Sequence, residues 1–319
     1  MGRPLTHFQG LGGQVRAPCP IAVLGTDDLQ PRVAIAFACD PKLGRSDGLR
    51  QMQKLGVATE IQQHRALAIA DDIKLSIHGS YYIVLASPDP AKVLRSVDTL
   101  LRTYEQADIL GAREIVLHPG SLYGAPEADV SCRFAENLER FMAQLGKTDI
   151  SLMIETAGKV GQMGSVDMIL DVASTVKGVG PCIDFGHVHA RSLGELETPD
   201  AMAQVFARID EFQRSNPDTP THFHYTPIHF GPRGEIQHRA LSDIDGVSNK
   251  PFHPRPEPVA AGLAGLPGRF TIISETHNSQ EMGAIRLKNL INSGTCGHNE
   301  SGGGKVGHGS GGIIQPRAE

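Results

Sequence analysis

The sequence has no C-x-x-C pair, no apolar run approaching the ~18 residues of a membrane span, no excess of positive charge and no tryptophan. The five cysteines (Cys19, Cys39, Cys132, Cys182, Cys296) are odd in number and widely spaced. They speak for reduced thiols rather than a disulfide framework. Without a long apolar run or a charged-then-apolar start, neither a membrane span nor a signal peptide is expected, and the reading is a soluble, cytoplasmic protein. The formal net charge of −5 over 319 residues offers a polyanion no bulk attraction. A nucleic-acid partner would require a local basic patch or bound cations. Missing too is a G-x-G-x-x-G loop after the first strand-like run. Residues 40–48 read DPKLGRSDG, which counts against an open dinucleotide-binding sheet.

What is present is a globular composition, 40% hydrophobic and 20% charged, in a chain long enough for one large α/β domain. Short β-branched runs alternate with amphipathic helical stretches. The runs cover residues 33–38, 57–62, 75–80, 114–119, 151–156, 180–185, 222–227 and 271–276. Helical patterns such as DPAKVLRSVDTLLRTYEQADILG lie between them, entered through Asp/Pro and ended at Gly111. Eight strands separated by helices predict an α/β fold, an eight-stranded parallel (β/α)8 TIM barrel over residues 32–292. Three segments stand outside the alternation: a Gly/Pro-rich N-terminal extension (1–31), a Pro-rich insertion (245–268) and a Gly-rich tail (293–319) expected to be disordered.

The active face of a parallel barrel is the ring of C-terminal strand ends. Read in order, those ends carry His78, His118, Glu155, Asp184 with His187, His224 and Glu275. Any one of them could be a satisfied polar residue of the core. Six strands ending this way are another matter, because converging carboxylates and imidazoles repel or go unpartnered unless cations hold them. All these donors are nitrogen or oxygen, which suits catalytic zinc, or manganese or iron. Cys182 shares the inward face of its strand by alternation but sits deeper, and is read as core.

In HGSYYIVLASP (78–88), LHPGS (117–121), IETAGKVGQMGS (154–165), CIDFGHVHA (182–190) and SET (274–276), the chain resembles the endonuclease IV family of apurinic/apyrimidinic endonucleases over roughly residues 33–290. The resemblance implies a metal-dependent enzyme that cuts duplex DNA on the 5′ side of abasic sites, using three metal ions, usually zinc, with manganese or iron as alternatives. By motif, His78, His118 and Glu155 would hold one ion. Glu155 would bridge to a second held with Asp184, His224 and Glu275, and His187 and His238 would hold the third. His222 and His224 alternate onto one face, so either could reach inward; His224 is taken because it lies nearer the strand end. In place of the family's D-x-H pair the chain has E-x-x-H, Glu235 and His238. Glu155 and Glu275 are the expected catalytic carboxylates. Tyr81 falls where the family places a DNA-inserting loop, and Lys42, Arg45 and Arg50 could meet backbone phosphates. The expected molecule is a monomer bound to double-stranded DNA. The rival function is a sugar isomerase or epimerase on the same barrel, with one metal and Glu155 and Glu275 as acid and base.

Overall fold

The computed structural model of the chain describes residues 21–25, 35–38, 65–66, 68–70, 74–246 and 250–296. In chain order its strands are β1 (Ile21–Gly25), β2 (Ile35–Ala38), β3 (Ser76–His78), β4 (Glu114–Leu117), β5 (Ser151–Glu155), β6 (Val179–Asp184), β7 (Thr221–Tyr225), β8 (Ile228–Gly231), β9 (Gly234–His238) and β10 (Phe270–Ser274). The helices are α1 (Pro90–Leu110), α2 (Glu127–Leu145), α3 (Val166–Thr175), α4 (Phe185–Arg191), α5 (Pro199–Ser215), α6 (Pro256–Ala264) and α7 (Gln280–Cys296). Among the described residues, no helix is long and apolar enough to cross a membrane.

The ring runs β1-β10-β7-β6-β5-β4-β3-β2 and closes on itself. From β2 through β3, β4, β5, β6 and β7 to β10 every pairing is parallel. These seven strands coincide with seven of the eight β-branched runs; the run 57–62 lies outside the described residues. The expected all-parallel set of eight is therefore corrected. The remaining place is taken by β1, antiparallel to both β10 and β2, and β1 comes from the stretch read as an extension. The physical reason is length: residues 26–34 are too few for the crossover of about a dozen or more residues that a parallel partner needs.

Strand alternation sorts the core into two parts. Ile115, Leu117, Leu152, Ile154, Ile183 and Phe223 point outward into the layer between strands and helices, where Leu100, Phe134, Phe141, Ile169 and Phe185 meet them. Their neighbours Val116, Met153 and Cys182 point inward and form a separate buried cluster inside the barrel. Side chains of Asp89, Ser165, Asp184 and Thr198 cap the starts of α1, α3, α4 and α5. Asp89 accepts a hydrogen bond from Ala91 N at 2.9 Å ahead of Pro90, and Gly111, at φ 78°, ends α1; such an N-cap contributes about 1 kcal/mol.

The stretch 245–268 is not a loop insertion throughout. It contains α6, which begins at Pro256 and buries Val259, Ala260 and Leu263. Proline is tolerated there because the first helical turn has no use for its missing N–H. The tail beyond Cys296 lies outside the described residues.

Candidate metal centre

Six barrel strands, β3 to β7 and β10, each deliver a polar side chain to the mouth of the barrel at or just past their C-terminal ends. Register aligns Asp184 with His224 across β6 and β7, while Glu155 at the end of β5 lies in their midst. Glu155 is fully buried and splits its two oxygens between neighbours. Oε2 lies 3.0 Å from His78 Nε2 and 3.1 Å from His118 Nε2. Oε1 lies 2.8 Å from His224 Nδ1 and 3.4 Å from His187 Nδ1. Glu275 follows β10 and brings Oε1 to 3.4 Å from His224 Nδ1 and Oε2 to 3.6 Å from His238 Nδ1. Of the two histidines on β7, His224 faces this cluster, whereas His222 Nδ1 bonds Glu114 Oε2 at 2.8 Å at the start of β4.

Asp184 has two jobs. Its Oδ1 accepts from His187 N at 2.7 Å and caps α4, which starts directly at the strand end. Its Oδ2 is buried with no hydrogen-bond partner among the described residues. The cap fixes His187 one helical turn away, where its Nδ1 donates to Thr156 O at 3.0 Å. That bond turns Nε2 toward the third group, where it lies 3.3 Å from His238 Nε2 and 3.7 Å from Glu235 Oε2. Thr156 also steadies Asp184, whose backbone N donates to Thr156 Oγ1 at 2.9 Å. No sequence pattern singled out Thr156, because its role is to orient two neighbours rather than to offer a ligand.

Glu235 reaches the mouth because the β8–β9 hairpin is laid across the loop after β5. Glu235 N donates to Gly158 O at 2.9 Å, and Lys159 bridges to Gly234. The approach demands glycine on both sides. A Cβ on Gly158 would lie 2.7 Å from Glu235 Cβ, and one on Gly234, at φ +88°, would lie 2.2 Å from Gly158 O. Arg191 ties the same loop down, donating to Lys159 O and Gln162 O and pairing with Glu127.

Four groups of side chains have ligand atoms within 4.8 Å of one another: His78, His118 and Glu155; Glu155, Asp184, His224 and Glu275; His187, Glu235 and His238; and Cys182, His222 and His224. The first three share the barrel mouth. Their donors are carboxylate oxygens and imidazole nitrogens, a set suited to zinc, manganese or iron. Protonation alone serves this cluster poorly. Burial, reinforced by Glu275 and Glu155, pushes the Asp184 carboxyl above its ordinary range. Burial pushes Glu155 the same way, but the imidazoles of His118, His224 and His187 prevail and hold it well below. Burial takes His118 down to about 3, while in His187 the carboxylates of Asp184, Glu155 and Glu235 overcome burial and raise it to about 10. Buried like charges and the unpartnered Asp184 oxygen are what cations would satisfy.

Tyr81 and Tyr82, in the loop after β3, are 68% and 71% exposed. Tyr81 also stacks on His118 at a centroid distance of 5.0 Å. Tyr82 was not singled out in the sequence. Lys42, Arg45 and Arg50 lie outside the described residues, and His189 is buried beside Phe230 and His253 rather than at the mouth.

A family model described as "Xylose isomerase-like TIM barrel" matches residues 37–258, more than half of the chain. The chain belongs to this family. Among curated relatives of this TIM barrel, an uncharacterized protein of Methanocaldococcus jannaschii is 27% identical over 175 residues, covering 54% of this chain and 63% of that protein. A "Probable endonuclease 4" of Nitratidesulfovibrio vulgaris is 31% identical over 115 residues, covering 34% of this chain and 41% of that protein. In neither does the match reach two thirds of the relative's length. Among solved structures, endonuclease IV from Thermus thermophilus superposes with a TM-score of 0.52 at 18% identity, covering 81% of this chain and 97% of that one. A D-tagatose 3-epimerase-like protein gives 0.53 at 16%, covering 84% and 90%. At such identities these two share the barrel fold, and they do not choose between nuclease and epimerase.

Proposed function

We propose that this TIM barrel is a metal-dependent phosphodiesterase that cuts duplex DNA 5′ to abasic sites and leaves a 3′-hydroxyl. The observation that carries the reading is the sharing of Glu155 between two ligand groups, with a third group, His187, Glu235 and His238, beside them. In this reading His78, His118 and Glu155 hold one ion. Glu155, Asp184, His224 and Glu275 hold a second, and His187, Glu235 and His238 a third. Glu235 takes the place of the aspartate expected in D-x-H. Divalent cations, zinc foremost, would supply positive charge against a phosphodiester and a water acidic enough to attack near neutral pH.

The chain's own groups do the rest. Glu155 and Glu275 are the catalytic carboxylates, Thr156 O and Glu155 orient His187, and the Asp184 cap fixes the start of α4. The cluster's positive charge would also draw phosphate to a net acidic protein. Tyr81 and Tyr82 stand at the mouth, where an aromatic wedge could enter a duplex at a residue with no base to stack. Lys42 and Arg45 contact phosphates in this reading, and the enzyme works as a cytoplasmic monomer.

An epimerase is the second reading, since the same barrel fold is shared with a D-tagatose 3-epimerase-like protein. It needs one metal with Glu155 and Glu275 as acid and base, and it leaves His78, His118 and the His187–Glu235–His238 group without work. Purified protein should carry about three divalent ions and incise a duplex with one tetrahydrofuran residue. One ion per chain, with turnover of a ketohexose and no incision, would establish the epimerase instead.

A further inference from the structure

Beneath the mouth, the barrel interior holds a second constellation. Cys182 on β6 is in register with His222 on β7, and His224 lies two residues further along the same inward face. Cys182 and His222 are fully buried, and His224 is 1% exposed. The Nε2 atoms of both histidines are buried with no hydrogen-bond partner among the described residues. The ring of His222 is already held in one orientation. Its Nδ1 donates to Glu114 Oε2 at 2.8 Å, which leaves Nε2 as the lone-pair atom. A carboxylate fixing the far nitrogen of an imidazole is the arrangement that metal-bound histidines use.

We propose that Cys182, His222 and His224 form an inner metal site, distinct from the mouth, that takes a thiophilic divalent cation such as zinc. One ligand atom from each residue lies within 4.8 Å of the other two. Cysteine with two histidines suits zinc, and three protein donors is the number in sites that keep a fourth position open. On binding, the Cys182 thiol would release its proton to solvent as the sulfur–metal bond forms. His224 belongs to both layers, since Nδ1 faces Glu155 and Glu275 while Nε2 lacks a partner. With cations in both layers, the ring would release its remaining N–H proton to solvent and join them as an imidazolate. The inner site would exist whether or not the barrel cuts DNA.

Cobalt(II) titration of metal-free protein tests it, in a full-length variant whose other cysteines are replaced (Cys19→Ser, Cys39→Ser, Cys132→Ser, Cys296→Ser). The expected result is a sulfur-to-cobalt charge-transfer band in the near ultraviolet, lost on adding Cys182→Ser. Glu114→Gln, which touches no metal, should weaken the cobalt binding that gives this band by about 10–100-fold. Cobalt binding without the band in the variant that retains only Cys182 would overturn the proposal. That comparison decides even if Cys182→Ser fails to fold. The readout is spectroscopic, so its failure is separable from failure to incise DNA.

Discussion

Glu155 Oε1 and His224 Nδ1 stand 2.8 Å apart, and the two residues between them reach every layer of the barrel's polar interior. Glu155 belongs to two of the mouth groups, and His224 to one of these and to the inner group. With cations bound in both groups, a single carboxylate would thus set the spacing between them.

Glu155→Gln should therefore be the most damaging conservative change. An amide keeps the volume but removes charge from two groups at once. Incision should fall by more than about 100-fold, beyond what loss of a partner outside the ligand shell costs. Metal analysis of the variant should show loss from both groups, with circular dichroism unchanged. Activity near that of the parent would remove Glu155 from the site.

His238→Ala separates the third group from the rest. His238 touches His187, Glu235 and Glu275, and it belongs to the His187–Glu235–His238 group alone. The variant should carry about one ion fewer and react more slowly in a single turnover. A parent protein with two ions, and a variant indistinguishable from it, would mean that E-x-x-H does not build a site.

Gly158→Ala reaches the same group without deleting a ligand. The added methyl would meet Glu235 Cβ at 2.7 Å and His187 Cδ2 at 3.1 Å, so the hairpin must shift away from α4. The expected outcome is weakened binding of the third ion with the other two retained, read by metal content against added zinc. Unchanged occupancy would show that the hairpin moves without carrying Glu235 off.

Removing the metals should also destabilise the fold, because cations that bind only the native chain stabilise it in proportion to the logarithm of their excess over Kd. A hundredfold excess contributes about 2.7 kcal/mol, and a domain of this size shifts by about 2–4 °C per kcal/mol. Chelation should lower Tm by several degrees, and zinc should restore it. An indifferent Tm would count against a cation among these buried carboxylates.

Much of this was legible in the sequence because β-strand alternation is a short-range signal. The runs ending at His78, Glu155 and Asp184 announced both the strand and the polar group at its mouth. β1 was not legible: its five residues lie among glycines and prolines, and its antiparallel pairing depends on the brevity of residues 26–34. α6 was hidden by the prolines that start it. Alternation also gives a face without giving a depth. It put Cys182, His222 and His224 on one inward face, and nearness to the strand end picked His224 for the mouth, but nothing local announced that His222 meets Glu114, a contact spanning 108 residues. Thr156 escaped notice for the same reason, since one of its two orienting contacts is made by a backbone carbonyl.

The most direct test of the central claim is incision of a duplex oligonucleotide carrying one tetrahydrofuran residue, with the product ends examined. Zinc-loaded protein should cut once, on the 5′ side of the tetrahydrofuran, and leave a 3′-hydroxyl that a polymerase extends. Chelator should stop the reaction, zinc should restore it, and an undamaged duplex should stay whole. Zinc-loaded, folded protein that leaves the tetrahydrofuran strand intact while epimerising a ketohexose would contradict the account.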